Sequence, residues 1–182
     1  MKRIIIVFLI VLTVALVSSC HEEIKPNPAT DFEYEVNPAQ NGILIHKYIG
    51  TSENVVIPAQ IDGLPVLSVR GVYSEDGPLE SGVFEGSNVK TVTFPNTVIS
   101  IGDNACKDCK ELTSVTFADG SALTKIGISA FEGCTSLKEI PLPDSVLNID
   151  RRAFYGCSAL TEVDLPTNCL KSAEAHFLNA PL

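Results

Sequence analysis

A chain whose apolar pattern returns about every 23 residues can bury that pattern only by stacking one copy on the next. Four copies of L-x-x-V/I-x-Φ recur here. They are Val89-Lys-Thr-Val92-Thr-Phe94, Leu112-Thr-Ser-Val115-Thr-Phe117, Leu137-Lys-Glu-Ile140-Pro-Leu142 and Leu160-Thr-Glu-Val163-Asp-Leu165, spaced 23, 25 and 23 residues apart. The longer step comes from two extra residues within 119–123. Proline follows the last apolar residue at Pro95, Pro143 and Pro166, and Ala118 stands there in the other copy. Two further signatures keep the same phase. Ile101-Gly-Asp-Asn-Ala105-Cys106, Ile126-Gly-Ile-Ser-Ala130-Phe131 and Ile149-Asp-Arg-Arg-Ala153-Phe154 form one, and C-x-x-L at Cys109, Cys134 and Cys157 forms the other.

Each copy is expected to supply one short strand whose alternate residues point inward. Proline cannot donate to a ladder, so it stops the strand and opens a bend. The Ile-Gly-x-x-Ala-Phe segment then returns along the opposite wall, with Phe between the walls and Ala where the chain crowds. Cys106 stands where a ring is expected, which should leave that coil underfilled. Upstream, the alternation Phe32/Tyr34/Val36 and Ile43/Ile45 fits a hairpin of half-buried strands.

These linked signatures resemble the BspA-like leucine-rich-repeat family, with its 23-residue repeats, over roughly residues 31–180. The resemblance implies a right-handed leucine-rich-repeat solenoid with one parallel strand per coil. Its returns are irregular or short 3-10 turns, its N-terminal end carries a small β cap, and it has little α-helix. Residues 31–54 would be the cap. Residues 55–182 would hold about four coils and a degenerate terminal half-coil, in which Phe177 keeps the phase of Phe154. With no dedicated cap at that end, an edge is left that could pair with another chain. An acidic Gly/Pro-containing insertion at 73–81 lengthens one turn, as a tolerated bulge or a recognition element.

The first twenty residues make a separate statement. Lys2 and Arg3 precede an apolar run from Ile4 to Val17, and Ser18-Ser19-Cys20 follows. This is the layout of a secretory signal. Fourteen helical residues reach about 21 Å, short of a hydrocarbon core of roughly 30 Å. Val17-Ser18-Ser19-Cys20 resembles the lipobox of bacterial lipoproteins, which implies cleavage after residue 19 and acylation of Cys20. Residues 20–30, with two prolines, read as a tether. Glu22-Glu23 resembles the surface-export signals of Bacteroidetes lipoproteins, and a solvated linker explains the pair equally well. The expected place is the cell envelope, as an outer-membrane lipoprotein facing outward.

Removing residues 1–19 takes away Lys2 and Arg3 and no acid. The 13 basic residues become 11 against 22 acidic ones, a net charge of −11. Such a balance argues against nucleic acid, which rewards basic surfaces, and against direct docking on anionic lipid. Cys109, Cys134 and Cys157 should form an inward column of structural thiols. Cys106-Lys-Asp-Cys109 is formally C-x-x-C, but it lacks the βαβ context or second ligand pair that redox or zinc chemistry needs. An oxidised pair within the column stays open. His21, His46 and His176 fall in separate segments, so no catalytic set converges. Neither a cofactor nor a metal site is expected.

The outward strand positions follow from the phase. One row is Thr91, Ser114, Glu139 and Glu162, and the other is Thr93, Thr116, Pro141 and Asp164. The rows are hydroxyl-rich at the N-terminal half and acidic toward the C-terminal end, and neither carries an aromatic residue. They suit a basic or polar protein segment or a bridging cation, although threonine is also simply a good strand former. The family resemblance implies an adhesin that binds a protein ligand. The alternative is an accessory envelope lipoprotein with no host ligand.

Overall fold

The computed structural model describes residues 25–71, 81–167 and 169–171. The signal segment, Cys20, the insertion apart from Ser81, and the terminal stretch with His176 and Phe177 lie outside the described residues. After a 3-10 turn at Ala29–Asp31 come eleven described strands. They are β1 (Phe32–Asn37), β2 (Gly42–Tyr48), β3 (Asn54–Val56), β4 (Gln60–Ile61), β5 (Leu64–Val69), β6 (Thr91–Phe94), β7 (Ser100–Ile101), β8 (Ser114–Phe117), β9 (Lys125–Ile126), β10 (Asn148–Ile149) and β11 (Leu170–Lys171). Among the described residues there is no α-helix, and so none long and apolar enough to cross a membrane.

The strands form two walls. One is parallel, β3-β6-β8, with Asn54, Thr91 and Ser114 in register and Val55, Val92 and Val115 behind them. The other runs β1-β2-β5-β7-β9-β10-β11, parallel from β2 onward, with β1 antiparallel on β2 and β4 beside β5. Between them lies one core. Phe94, Phe131, Phe154, Ile101, Ile126 and Ile149 are all 1% exposed or less. Each such side chain contributes roughly 1.5–3 kcal/mol on burial. The in-phase Ala105, Ala130 and Ala153 are fully buried as well.

Two expectations are corrected here. The returns were expected to be irregular, yet Ile101, Ile126 and Ile149 lie in β7, β9 and β10 of the longer ladder. Conversely, residues 137–142 and 160–165, expected to be strands, are not. Proline explains the first loss. Ala118 N–H, one residue past Phe117, donates to the carbonyl of Phe94, the register partner of Phe117. By the same register, the next coil's donors to Val115 and Phe117 would be Pro141 and Pro143, which have no N–H. Leu142 N–H instead turns back to Ile140 O at 3.0 Å. The three-stranded wall therefore ends at β8.

The turns joining the walls form a third ladder. Phe84 N–H donates to Ala105 O at 2.7 Å, Cys106 N–H to Ala130 O at 2.7 Å and Phe131 N–H to Ala153 O at 2.8 Å. Two residues on, Gly86, Asp108 and Gly133 donate to Lys107, Glu132 and Tyr155. Here each coil donates to the following one. In the longer sheet the sense reverses, with Gly127 N–H reaching Ile101 O at 2.8 Å. The turn is shaped by left-handed residues at two fixed phases. Asn104, Ser129 and Arg152 have φ of 54°, 54° and 59°, and Gly86, Asp108, Gly133 and Gly156 have φ of 67°, 55°, 74° and 73°.

The β1–β2 hairpin sits at one end of the longer sheet. Tyr48 N–H donates to Val83 O at 3.0 Å, and the Tyr48 ring lies 5.5 Å from both Phe32 and Phe84. Asn27, within the stretch read as tether, already engages the fold. Its N–H donates to Val56 O and its side-chain oxygen accepts from Val56 N–H, both at 2.8 Å, closing the outer edge of β3.

Candidate binding face

Thr91, Thr93, Ser114 and Thr116, singled out for binding, lie on the strand wall, and Glu139, Pro141, Glu162 and Asp164 lie on the coils beyond its last strand. Thr91, Thr93 and Ser114 are half-buried, and Thr116, Glu139, Pro141, Glu162 and Asp164 are exposed. The residues between them, Val92, Val115 and Ile140, are at most 3% exposed. Inward and outward positions thus follow the repeat phase even where the ladder fails. The wall also continues upstream into Asn54 and Glu53 of the β3 region, which the hexapeptide pattern did not reach.

The two halves of this face differ in more than charge. In the hydroxyl half the polar groups satisfy one another along the coils. Thr91 Oγ1 donates to Asn54 Oδ1 at 3.0 Å, Thr93 and Thr116 share a hydroxyl bond of 2.8 Å, and Thr113 Oγ1 donates to Lys90 O at 3.1 Å. Lys90 Nζ also pairs with Glu53 at 2.6 Å. In the acidic half, Glu139, Glu162 and Asp164 have no ion pair or hydrogen bond with any described residue. The face has no aromatic ladder, and among the described residues no set of His, Cys, Asp or Glu is placed to hold a metal ion.

The cysteine column is real geometry, and its thiols do more than fill space. Cys109, Cys134 and Cys157 are 1%, 0% and 5% exposed. Their thiols donate to the carbonyls of Phe84, Cys106 and Phe131 at 2.9, 3.0 and 3.0 Å. Each links its coil to the ring position of the coil before, as a second donor to a carbonyl that already accepts an N–H within its own turn. Ser87 takes the column position in the first coil, with its hydroxyl 3.6 Å from Cys109 Sγ. The Cys106 thiol is pushed well up by its hydrogen bond with Cys109 and by burial. Cys134 is pushed up in the same way by Cys157 and burial. Their partners Cys109 and Cys157 are pushed down by those same hydrogen bonds. None of Cys106, Cys109, Cys134 and Cys157 is in a disulfide.

Sequence reasoning missed Phe84 and Ser87 as parts of the first coil. The signal was present in Phe84-Glu85-Gly86, which matches Phe131-Glu132-Gly133 and Phe154-Tyr155-Gly156 with glycine at the left-handed position. On the same wall Arg152 forks onto Glu132, with Nη2 at 2.6 Å and Nε at 3.1 Å, and lies 4.4 Å over the Tyr155 ring. His46, on β2, pairs with Glu35 across the hairpin at 3.4 Å.

Known structures share this architecture. A leucine-rich-repeat protein of T. pallidum is 34% identical with a TM-score of 0.71, over 81% of this chain and 64% of that one. A leucine-rich cell surface protein of Faecalibacterium prausnitzii is 32% identical with a TM-score of 0.67, over 80% of this chain and 38% of that one. The pneumococcal vaccine antigen PcpA, at 20% identity and a TM-score of 0.56 over 80% of this chain and 39% of that one, shares the fold alone. The chain thus spans less than two thirds of the length of these proteins. No curated protein matches the sequence. Residues 78–182 match the BspA-type leucine-rich-repeat region in six copies, more than half of the chain. Periodic strands, an in-phase thiol column and this match together make the chain a member of the BspA-type leucine-rich-repeat family.

Proposed function

We propose that the chain is a lipid-anchored, outward-facing envelope protein that binds a protein ligand through its strand face, with no cofactor and no role for nucleic acid. The observation that carries this reading is the register of the face. Outward side chains of β6 and β8 stand in register over a continuous core, and the next two coils expose three carboxylates with no partner among the described residues. A regular, solvent-facing array of this kind is what repeat proteins offer to partners. The family and the F. prausnitzii neighbour, a cell surface protein by description, support the location.

Acylation at Cys20 supplies the anchor in this reading, the hairpin caps the open end of a right-handed stack, and anchorage orients the body. Asn27 is docked on Val56, and the seven residue-to-residue steps from Cys20 to Asn27 span at most about 24 Å. The hairpin end is held near the membrane and the acidic half of the strand face stands farther out. Cells making the wild-type chain should incorporate labelled palmitate, and protease added to intact cells should degrade the protein. Cys20→Ala should lose the label and leave the membrane fraction. Wild-type protein that resists protease until the outer membrane is opened contradicts an outward-facing role.

A further inference from the structure

We infer that the C-terminal half of the strand face, around Glu139, Glu162 and Asp164, docks an extended lysine- or arginine-rich protein segment, and that the hydroxyl half does not. This rests on the reading of the strand face as a protein-binding surface and names the chemistry of its partner. Three independent features converge on that half. The first is electrostatic. Its three exposed carboxylates lack partners among the described residues, whereas Thr91, Thr93 and Thr116 are bonded to neighbours on the wall. Lys138 adjoins Glu139 and leaves the patch net negative. The whole chain, at net −9, steers cations in the same sense.

The second feature is the interrupted ladder. Because Pro141 and Pro143 supply no N–H, the strand wall ends at β8, and the coil at 137–142, packed into the same core through Leu137 and Ile140, adds no ladder to it. No main-chain hydrogen bond joins residues 137–142 to 160–165. The exposed residues of these two coils, Glu139, Glu162 and Asp164 among them, carry main-chain groups that no ladder uses and that an extended segment can meet with its own backbone. The third is apolar. Phe117, Leu142, Val163 and Leu165 are only half-buried. A segment with lysine or arginine at alternate positions meets both demands, since those side chains share the i, i+2 spacing of Glu162 and Asp164 and lay their aliphatic stems on the half-buried residues beside them. A bridging cation fits less well, because no metal-holding group is formed among the described residues.

The test uses the full chain in detergent, with two labelled synthetic peptides, one alternating lysine and valine and the other glutamate and valine. Binding is read by fluorescence anisotropy. Two variants carry equal charge changes: E139Q/E162Q/D164N on the face, and E33Q/E35Q/D62N at the hairpin end. The lysine peptide should bind wild type, weaken with salt, and lose about tenfold or more in affinity only for the face variant. The glutamate peptide should not bind. Equal losses for both variants would mean that overall charge suffices, and no loss for either would place the peptide elsewhere. Either result overturns the inference, as does failure of the lysine peptide to bind. Circular dichroism of both variants checks that each is folded.

A displayed library of random peptides selected on the same full chain separates this inference from the reading beneath it. Binders that lack basic residues but are lost on T93K/T116K overturn the basic-segment inference and leave strand-face binding intact. Basic binders lost on E139Q/E162Q/D164N support both. An absence of any binder that a strand-face variant abolishes overturns both.

Discussion

Phe131→Ala lowers the free energy of unfolding by about 3–5 kcal/mol, the range for emptying a ring-sized site in a close-packed core. Phe131 is fully buried and its ring stacks on Phe154 with centroids 5.5 Å apart and planes 7° from parallel. Nothing can close around the vacated volume without moving a wall, because the coils on both sides are pinned by the turn ladder. Each coil touches only its neighbours, so the loss should be local. The coils after residue 131 detach first, and the hairpin end stays folded. A urea titration followed by circular dichroism should then show an early transition that wild type lacks. Phe117→Ala is the internal comparison. That ring stacks on Phe94 at 5.6 Å but is half-exposed, and its loss should cost well under half as much. A Phe131→Ala cost below about 1 kcal/mol would show that the ring does not fill the space between the walls.

Gly133→Ala carries the second large effect, and its cause is different. Gly133 has φ of +74°, where an added Cβ costs about 1–2 kcal/mol in backbone strain. That Cβ would also fall 2.5 Å from Asp108 Oδ1 of the preceding coil. Gly156 has nearly the same φ, +73°, yet its nearest obstacle is Gly133 N at 3.6 Å. Gly156→Ala should therefore cost the strain alone, and Gly133→Ala the strain plus the smaller cost of turning the Asp108 carboxylate aside. Asp108→Gly removes the obstacle and relieves a residue that itself sits at φ +55°. The double variant should recover the collision part, a coupling that a double-mutant cycle reads directly. A Gly156→Ala cost larger than that of Gly133→Ala, or a coupling of the opposite sign to Asp108, would mean that the coils are not in this register.

These two sites show where the sequence was legible. The phase of Phe131 follows from Ile126-Gly-Ile-Ser-Ala130-Phe131, because a residue type that recurs with a core position is itself a core position. The inward column of Cys109, Cys134 and Cys157 was legible for the same reason. Their thiol-to-carbonyl bonds were not, since periodicity reports burial and is silent on which carbonyl lies opposite. The left-handed positions were half visible. Glycine marks Gly86, Gly133 and Gly156, but Asp108, Asn104, Ser129 and Arg152 adopt the same backbone without it, held by the ladder on either side.

The binding face divides in the same way. Which side chains point outward on the strand wall could be read from alternation alone, from Thr91 to Asp164. That the wall loses its ladder after β8 could not, because proline was weighed as the end of each strand and not as the missing donor to the coil before. Pro141 lies inside the hexapeptide, and its effect appears only once register is known. The mutual bonding of Thr93 with Thr116, and of Thr91 with Asn54, likewise depends on which coils are adjacent. It is this bonding that separates a self-satisfied half from an open one.

Amide hydrogen exchange of the native chain tests that division most directly. The amides of Cys106, Asp108, Phe131 and Gly133 in the turn ladder, and of Gly127 and Asp150 in the longer sheet, should exchange slowly. Those of Glu139, Glu162 and Asp164 should exchange quickly, although Ile140 beside them is buried. Protection of these three comparable to that of the turn amides would show a strand wall paired through every coil, with no unladdered coil after β8 for a partner to meet.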